Sequence, residues 1–328
     1  MNDNRTLCSY CGCEYIAGET DTAANGAGFW CEECDAFNYF SSIAEDARHR
    51  FELNLEQVSN AERVSSVGAK LKLHVSPLRY PGGKTKVIPY AFARLNPTKT
   101  DLWVEPFAGG ASVGLSLLEA GVINHLRLND LDYGVYSLFK CTFTDPQPLL
   151  DKINTITPTR EMFFTAQSRI LNNHNYASLQ DAAWDMLVVN RLSFSGIAKA
   201  HPLGGKNGSQ TALLSRWNPE TLTKRIELLR PLGGRVEVTN MDALEVIEEC
   251  YWNEQATLFI DPPYVQKGSR LYNKFYESND HQELGNLLDS LYSTCPGADI
   301  QLYYDDDEMV KNIYFYPEVV KVERRYCV

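Results

Sequence analysis

Short apolar runs and amphipathic stretches alternate along the chain. Residues 101–105 and 256–260 are apolar runs that end at, or lead directly into, an acidic residue, a pattern typical of buried parallel strands. Residues 125–130 are predicted as a further strand that also ends in an acid. Residues 111–120 carry apolar side chains on one face, which predicts a helix after the first strand. In residues 40–73 apolar positions recur every three or four residues, which predicts a helical connector. The alternation of strands and helices indicates an α/β fold.

Length and composition narrow the class of protein. The chain has 328 residues, of which 44% are hydrophobic and 22% are charged. That length accommodates one or two domains with an appendage. No uncharged apolar stretch reaches the roughly eighteen residues that a membrane-spanning helix needs. The N-terminal sequence has neither the basic nor the apolar segment of a signal peptide, so we expect a cytoplasmic protein without a membrane partner.

Charge is unevenly distributed along the chain. The formal net charge is −11, which taken alone disfavours an anionic partner. Residues 190–235, however, contain eight basic and two acidic residues, a local net charge of +6. A concentrated basic segment is the usual electrostatic signature of binding to a phosphate backbone, although a solvated basic face without a ligand fits the same composition.

The N-terminal segment contains two Cys-x-x-Cys pairs separated by 19 residues: Cys8 and Cys11, and Cys31 and Cys34. Two such pairs are the usual ligand pattern of a structural zinc ribbon, in which four thiolates fill a tetrahedral site and leave no open catalytic position. Disulfides or idle thiols are the alternative. The nearby Cys13 leaves the choice of ligand open, although the spacing favours Cys11. We predict a zinc-ribbon-like segment that binds one structural Zn²⁺.

A glycine-rich turn follows the first predicted strand. Gly109 and Gly110 lie in this turn, and Asp130 ends the next strand 21 residues beyond Gly109. A close backbone approach followed by a carboxylate that binds ribose hydroxyls is typical of nucleotide-binding folds. With Gly114 the glycines follow the pattern GGxxxG and not the pyrophosphate pattern GxGxxG. This favours a nucleoside ligand without phosphate, such as S-adenosylmethionine, and a plain structural turn is the alternative.

The most informative motif is Asp261-Pro262-Pro263-Tyr264, which follows a buried strand. An exocyclic aromatic amine is a poor nucleophile because its lone pair is delocalised into the ring. The Asp261 carboxylate and the Pro262 carbonyl are suited to accept both amino hydrogens, and two prolines stiffen the turn. The Tyr264 ring offers a face on which an extruded base stacks. The alternative is a strand-terminating turn with a surface tyrosine.

Five motifs in the order RYPGGK, VEPFAGGASVG, LND, NRLSFSG and DPPY resemble the Dam-like class of N6-adenine DNA methyltransferases over about residues 76–327. The resemblance implies a Rossmann-like methyltransferase fold, S-adenosylmethionine as cofactor and double-stranded DNA as substrate. It implies that a flipped adenine is held by the catalytic residues Asp261, Pro262, Pro263 and Tyr264. Matching motifs also imply a set of cofactor-binding residues: Tyr80, Lys84, Glu105, Phe107, Gly109, Asp130, Asp242 and Asp261.

The family places a mainly helical target-recognition insert before DPPY, which corresponds here to residues 141–235 and includes the basic segment. The NRLSFSG motif and the basic residues after it imply DNA contacts by Asn190, Arg191, Ser195, Lys224 and Arg225. Arg191 is suited to a phosphate or a guanine edge, and Phe194 fits either DNA contact or the core. We expect the glycine-rich residues 201–208 to take a fixed conformation only on DNA.

The predicted organisation has four parts. A zinc-ribbon-like segment (1–39) and a helical connector (40–75) precede a catalytic domain (76–140 and 236–328), which is interrupted by the insert (141–235). The predicted activity is site-specific transfer of a methyl group from S-adenosylmethionine to adenine N6 in DNA. We expect it in a bacterial or phage-infected cell, with a possible restriction-modification or phage partner protein.

Two alternatives to this activity stay open. The family's last strand usually continues beyond Val328, which favours a catalytically weak or inactive DNA-binding protein on the same fold. The other alternative is an amino-methyltransferase that acts on cytosine N4 or on RNA adenine.

The acidic residues 305–308 precede a predicted helix, and helix capping accounts for them better than a divalent metal does.

Overall fold

The computed structural model describes residues 5–7, 14–16, 28–30, 37–39, 71–79, 84–96, 100–172, 177–265, 275–294 and 296–314. The chain divides into two compact units. One is formed by Met1–Gly68 together with Tyr316–Val328, and the other by Ala69–Phe315. The described part of the first unit consists of four short strands.

These four strands form two antiparallel hairpins, the first from β1 (Arg5–Leu7) and β2 (Glu14–Ile16) and the second from β3 (Gly28–Trp30) and β4 (Phe37–Tyr39). In sequence, each hairpin encloses one Cys-x-x-Cys pair. The predicted zinc ligands lie outside the described residues, and so does the predicted connector up to residue 70. Residues 71–79 are described and contain no helix.

A five-stranded parallel sheet forms the centre of the unit Ala69–Phe315. The strands are β5 (Leu102–Glu105), β6 (His125–Asn129), β7 (Val236–Thr239), β8 (Ala256–Ile260) and β9 (Asp299–Leu302). Their order across the sheet is β7-β6-β5-β8-β9. β8 is buried along its whole length, and β5 and β6 are buried after their first residue. Burial on both faces explains why β8 and the first three residues of β5 are mostly apolar.

Helices connect the strands of this unit. In chain order they are α1 (Ile88–Arg94), α2 (Ser112–Glu119), α3 (Tyr133–Thr144), α4 (Gln147–Thr155), α5 (Arg160–Leu171), α6 (Leu179–Leu192), α7 (Gln210–Leu213), α8 (Pro219–Leu229), α9 (Ala243–Tyr251), α10 (Ser278–Thr294) and α11 (Glu308–Ile313). Capping explains where several begin. The Ser178 side chain accepts from the third N–H of α6, and Asn218 caps α8, whose first residue is a proline.

The helices α3 to α8 lie between β6 and β7 in sequence. The central one is α6, against which α3 and α5 pack, and its residues 182–192 are all buried. The two polar residues of the NR motif therefore lie at the buried end of an interior helix.

The predicted α/β architecture is confirmed. The three predicted strands correspond to β5, β6 and β8, and the helix predicted over 111–120 is α2. The parallel sheet and the helical insert are those of a Rossmann-like methyltransferase fold. Among the described helices, none combines the length and apolar character needed to cross a bilayer.

Candidate active site

Residues with candidate chemistry collect at one edge of the sheet. All strands of a parallel sheet end at the same edge, and open α/β folds bind their ligands in the crevice outside it. Glu105 ends β5, Asp130 follows β6, Asp242 lies in the loop after β7, and Asp261 follows β8. Four neighbouring strands thus each place a carboxylate at this edge.

The glycine turn after β5 is fastened to the end of β6. Gly109 has a φ of 48°, a left-handed conformation that suits glycine, and its N–H donates to Asp130 Oδ2 at 2.8 Å. Asp130 Oδ1 accepts from the Asp132 N–H at 2.9 Å. Burial, and after it the Asp132 carboxylate, raise the pKa of Asp130 to about 7. Each carboxylate oxygen retains a second lone pair, so Asp130 is able to accept from a ligand hydroxyl as well.

Glu105 points into the protein interior. It is 2% exposed, and its Oε1 accepts from the Gly114 N–H at 2.6 Å and from Trp103 Nε1 at 3.1 Å. Burial raises the pKa of Glu105 to about 7 despite these two hydrogen bonds. A Cβ at position 114 would lie 2.8 Å from Glu105 Oε1 and 2.5 Å from Leu126 Cδ1. The third glycine of GGxxxG is therefore required because α2 packs closely against the strands and Glu105.

Asn129, which the sequence analysis did not single out, ties three strand ends together. Its side chain is fully buried. Nδ2 donates to the carbonyls of Pro106 at 3.0 Å and Met241 at 3.1 Å, and Oδ1 accepts from the Met241 N–H at 2.9 Å and the Thr239 hydroxyl at 2.8 Å. The amide thus uses both donor hydrogens and both acceptor positions. The sequence indicated this role only through the position of the amide, at the end of the strand β6.

The DPPY turn meets Lys84. The Lys84 ammonium forms an ion pair with Asp261 Oδ2 and donates to the Tyr264 hydroxyl at 2.8 Å. It also lies 4.9 Å from the centroid of the Tyr264 ring. Lys84, Pro262 and Tyr264 are buried, Pro263 is half-buried, and the Asp261 side chain is 18% exposed. Tyr264 is therefore not a surface tyrosine, and Lys84 lies against the predicted catalytic carboxylate.

A row of aromatic side chains borders the turn after β5. Phe107 packs edge-to-face on Tyr276 with ring centroids 5.4 Å apart, and Tyr276 packs on His281 at 5.3 Å. His281 Nδ1 lies 2.8 Å from the Tyr304 hydroxyl. Burial, and after it the Asp242 carboxylate, raise the pKa of Tyr276. Tyr276 thus packs on Phe107, which is one of the predicted cofactor contacts.

This arrangement has a counterpart in a known family. A family model described as D12 class N6 adenine-specific DNA methyltransferase matches residues 80–327. The chain belongs to this family. Type II methyltransferase M.MjaIII of Methanocaldococcus jannaschii is 20% identical over 232 residues, which cover 65% of this chain and 78% of that protein. Ribosomal RNA large subunit methyltransferase K/L of Shewanella oneidensis is 32% identical over 108 residues, 32% of this chain and 15% of that protein.

In this D12-class methyltransferase, three of the predicted DNA contacts face inward. Asn190, Arg191 and Arg225 are 2%, 6% and 8% exposed. Their side chains form hydrogen bonds with the backbone of residues 76–79. These side chains thus already have partners within the protein, which neither the motif nor the charge revealed. Direct DNA contact by the three residues stays a prediction.

The other two predicted DNA contacts, Ser195 and Lys224, are exposed. Ser195 lies in a loop (193–202) that is closed by a bridge between Ser193 and Pro202. Phe194 in the same loop is 55% exposed, which excludes the core, one of the two alternatives left open for it. Lys199, which was not singled out, is also exposed and lies 5.2 Å from the centroid of the Phe275 ring. The loop 193–202 therefore presents both an aromatic ring and a cation.

The glycine-rich residues 201–208 are held by a side chain from a distant helix. Arg160 of α5 donates to the carbonyls of Gly205, Gly208 and Ser209, the last two at 2.9 Å and 3.1 Å. One guanidinium thus satisfies three loop carbonyls. This long-range contact could not be seen in the local composition on which the expectation rested.

Some predicted residues lie beyond what the structure describes. Tyr80 and the four predicted zinc ligands are among them. Within the described part of the chain, no group of three or more His, Cys, Asp or Glu side chains is arranged to hold a metal ion. Asp307 accepts from the Met309 N–H at 2.8 Å and caps α11, which supports the capping interpretation of the acidic residues 305–308.

Proposed function

We propose that the chain transfers a methyl group from S-adenosylmethionine to the N6 amino group of adenine in DNA. The observation that carries the proposal is the DPPY turn at the end of β8, where Asp261 is partly exposed and paired with Lys84. The turn lies at the sheet edge that also bears the glycine loop and Asp130. Membership of the D12 class supports adenine in DNA as the methyl acceptor.

The residues at this edge fit S-adenosylmethionine. Asp130 has acceptor positions for ribose hydroxyls, and Phe107 and Tyr276 offer aromatic surface beside the glycine turn. Asp242 lies close enough to Tyr276 to raise the pKa of its hydroxyl. We propose that Tyr80, Gly109 and Glu105 complete the cofactor site, as the matching motifs imply. When bound, the cofactor supplies an electrophilic methyl group on a sulfonium.

The DPPY residues are suited to activate an amine. We propose that Asp261 Oδ2 and the Pro262 carbonyl each accept a hydrogen bond from the amino group of a flipped adenine. These two acceptors stabilise the positive charge that develops on the nitrogen. Before the base arrives, the Lys84 ammonium occupies this carboxylate oxygen. The amine therefore has to replace Lys84 or share the oxygen with it. Tyr264 then offers its ring to the base while its hydroxyl retains Lys84.

Duplex DNA is proposed to approach the insert at the loop 193–202. Phe194 and Lys199 are exposed in this loop, and Ser195 lies between them in sequence. An exposed ring is able to stack on a base, and a flexible ammonium pairs with a phosphate. Lys224 adds a second cation, on α8, where Glu220 lies 2.7 Å from its ammonium.

The direct test is expression in a host that lacks DNA methylation, followed by sequencing that identifies modified adenines. The proposal expects N6-methyladenine at one recurring sequence. A restriction-modification role, which the type II relative supports, further expects that nearly every copy of that sequence is methylated. Methylcytosine, methylation of RNA alone, or no modification in the presence of soluble protein would each contradict the proposal and favour one of the alternatives.

A salt titration tests the proposed DNA path. Replacing Lys199 or Lys224 by alanine is expected to weaken binding to duplexes of any sequence. The plot of the logarithm of the binding constant against the logarithm of the salt concentration is expected to lose about one unit of slope for each phosphate that is left without its ammonium. Lys311→Ala is the matched control, because Lys311 is exposed on α11 and paired with Asp306 and Glu308. If both test variants have the same slope as the wild type, DNA binds to another surface of the protein.

We further propose that Cys8, Cys11, Cys31 and Cys34 bind one structural Zn²⁺. The strands flanking the two Cys-x-x-Cys pairs form two hairpins, which supports a ribbon. Metal analysis is expected to find about one zinc per chain, and the double variant Cys8→Ser/Cys31→Ser is expected to lose it while retaining cofactor affinity. A full-length wild-type chain purified without zinc, in which all four thiols react freely, would refute this.

A further inference from the structure

Residues 76–79, here called the strap, are held by side chains of the insert. Arg225 Nη1 donates to the Ser76 carbonyl at 2.9 Å, and Arg191 Nη2 donates to the Pro77 carbonyl at 2.7 Å. The strap belongs to neither a helix nor a sheet, and its first three residues are buried. Buried carbonyls need hydrogen-bond partners, and here guanidinium groups from α6 and α8 provide them.

Asn190 holds the last residue of the strap. Its Oδ1 accepts from the Arg79 N–H at 2.8 Å, and its Nδ2 donates to the Arg79 carbonyl at 2.6 Å. These two bonds are the pair that a neighbouring strand would form. Nδ2 also lies 3.4 Å from the Gly196 carbonyl. One buried amide thus contacts both the strap and the loop 193–202.

The same loop rests directly on the strap. Gly196 has a φ of 72°, and a Cβ there would lie 2.4 Å from the Arg79 carbonyl oxygen. Any other residue would push the loop and the strap apart. The exposed Phe194 is two residues from this contact. The position of the proposed DNA-facing loop is therefore fixed relative to Arg79.

The strap also limits where Lys84 is placed. Lys84 follows Arg79 by five residues, and its ammonium contacts both Asp261 and Tyr264. Five residues span at most about 17 Å, so the position of the strap bounds the region from which Lys84 reaches the DPPY turn. In sequence, Asn190 and Arg79 are 111 residues apart, which is why only the fold brings these groups together.

We propose that Asn190, Arg191 and Arg225 are positioning residues for methyl transfer. They fix the strap, and through it they align Lys84 and the DPPY turn with the loop 193–202. This inference rests on the proposed function and assigns its residues no direct contact with DNA or cofactor. A misplacement of about 1 Å in an active site can lower the rate by about a hundredfold, so the attachment matters to catalysis and not only to stability.

The experiment compares Asn190→Ala and Arg225→Ala with wild type and two further variants. Arg169→Ala is the matched control for lost stability, because Arg169 binds the buried Asp185 through two bonds of 2.5 Å within the same insert. Arg225→Lys retains a cationic donor for the Ser76 carbonyl. For each protein, the measurements are kcat, the KM for DNA, the salt slope of DNA binding and amide hydrogen exchange over residues 76–88.

Both alanine variants are expected to lose about ten- to hundredfold in kcat with an unchanged salt slope. Their residues 76–88 are expected to exchange faster than in wild type. Arg169→Ala is expected to lower the melting temperature without either effect, and Arg225→Lys to recover most of the lost kcat.

The inference is overturned if the alanine variants show unchanged amide exchange over residues 76–88, or if Arg169→Ala loses as much kcat as they do. It is also overturned if the alanine variants combine a reduced salt slope with a raised KM for DNA, which would indicate direct DNA contact by these residues. Exchange is measured without substrate. A wild-type chain that transfers no methyl group would contradict the proposed function, while the exchange data would still decide whether the insert holds the strap.

Discussion

Replacing Asp261 by alanine is expected to lower the rate of methyl transfer by about a hundredfold to a thousandfold. The carboxylate is a preorganised acceptor at the place where positive charge develops on the amine, and loss of one such group typically has an effect of this size. The residue lies at a strand end and not in the core, so folding is expected to survive. The measurement is transfer of labelled methyl groups to an adenine-containing duplex.

The Lys84 ion pair requires a control for this experiment. Asp261→Ala leaves a largely buried ammonium without its carboxylate partner, which is itself unfavourable. The double variant Asp261→Ala/Lys84→Met removes both charges, and Asp261→Asn retains an oxygen acceptor without the charge. Both are expected to fold at least as well as Asp261→Ala, with low activity in the double variant and intermediate activity in Asp261→Asn. If Asp261→Ala methylates at close to the wild-type rate, the DPPY turn is structural.

The sequence predicted which functional groups lie at the sheet edge better than it predicted the hydrogen-bond and ion-pair partners of those groups. Strands that are buried on both faces have mostly apolar sequences, so β5 and β8 and the carboxylates at their ends could be predicted from the sequence. β6 contains His125, Arg127 and Asn129, and it was predicted from its place after the glycine turn and from the acid that follows it. The partner of Asp261 could not be predicted, because Lys84 is 177 residues away in sequence. The same contact gives the Tyr264 hydroxyl a partner, whereas the motif alone suggested a role only for the ring.

Predictions within the insert depended on burial, which the sequence did not reveal. The local charge of +6 favours a surface for DNA or a solvated basic face, yet Arg191 and Arg225 are interior and bind backbone carbonyls. A guanidinium has five N–H donors and satisfies buried carbonyls as readily as phosphates, so composition does not distinguish the two uses. Lys199 and Phe194 are exposed in the loop 193–202, in which Gly196 packs on the strap.

Asn129 is the clearest group that pattern analysis missed. From the sequence, the LND motif predicts one functional carboxylate, that of Asp130. In the structure, the preceding amide joins the loops after β5, β6 and β7, which together form the proposed cofactor site. An amide at a strand end is compatible with a turn, a cap or a buried network. Only the positions of the neighbouring loops decide among them.

Replacing Asn129 by leucine is expected to lower the free energy of unfolding by roughly 3–5 kcal/mol. The substitution keeps the branched shape and the number of side-chain heavy atoms but leaves up to four polar groups without their partner. Each buried unsatisfied group costs about 1–3 kcal/mol, part of which local relaxation recovers. Urea denaturation measures this change. Affinity for S-adenosylmethionine is expected to fall as well, since the loops at Pro106 and Met241 lose a common anchor.

Asn124→Ala is the matched control, because Asn124 is an exposed amide at the other end of β6 that donates to Asp101 at 2.7 Å. Its effect on stability is expected to stay within about 0.5 kcal/mol, as is usual for surface positions. Asn129→Asp keeps both acceptor bonds, to the Met241 N–H and the Thr239 hydroxyl, but sets a carboxylate oxygen against two carbonyls. It is expected to destabilise the protein more strongly as pH rises and the carboxyl ionises. Wild-type stability in Asn129→Leu would show that the three loops are held by packing alone, and the amide would then have no part in forming the cofactor site.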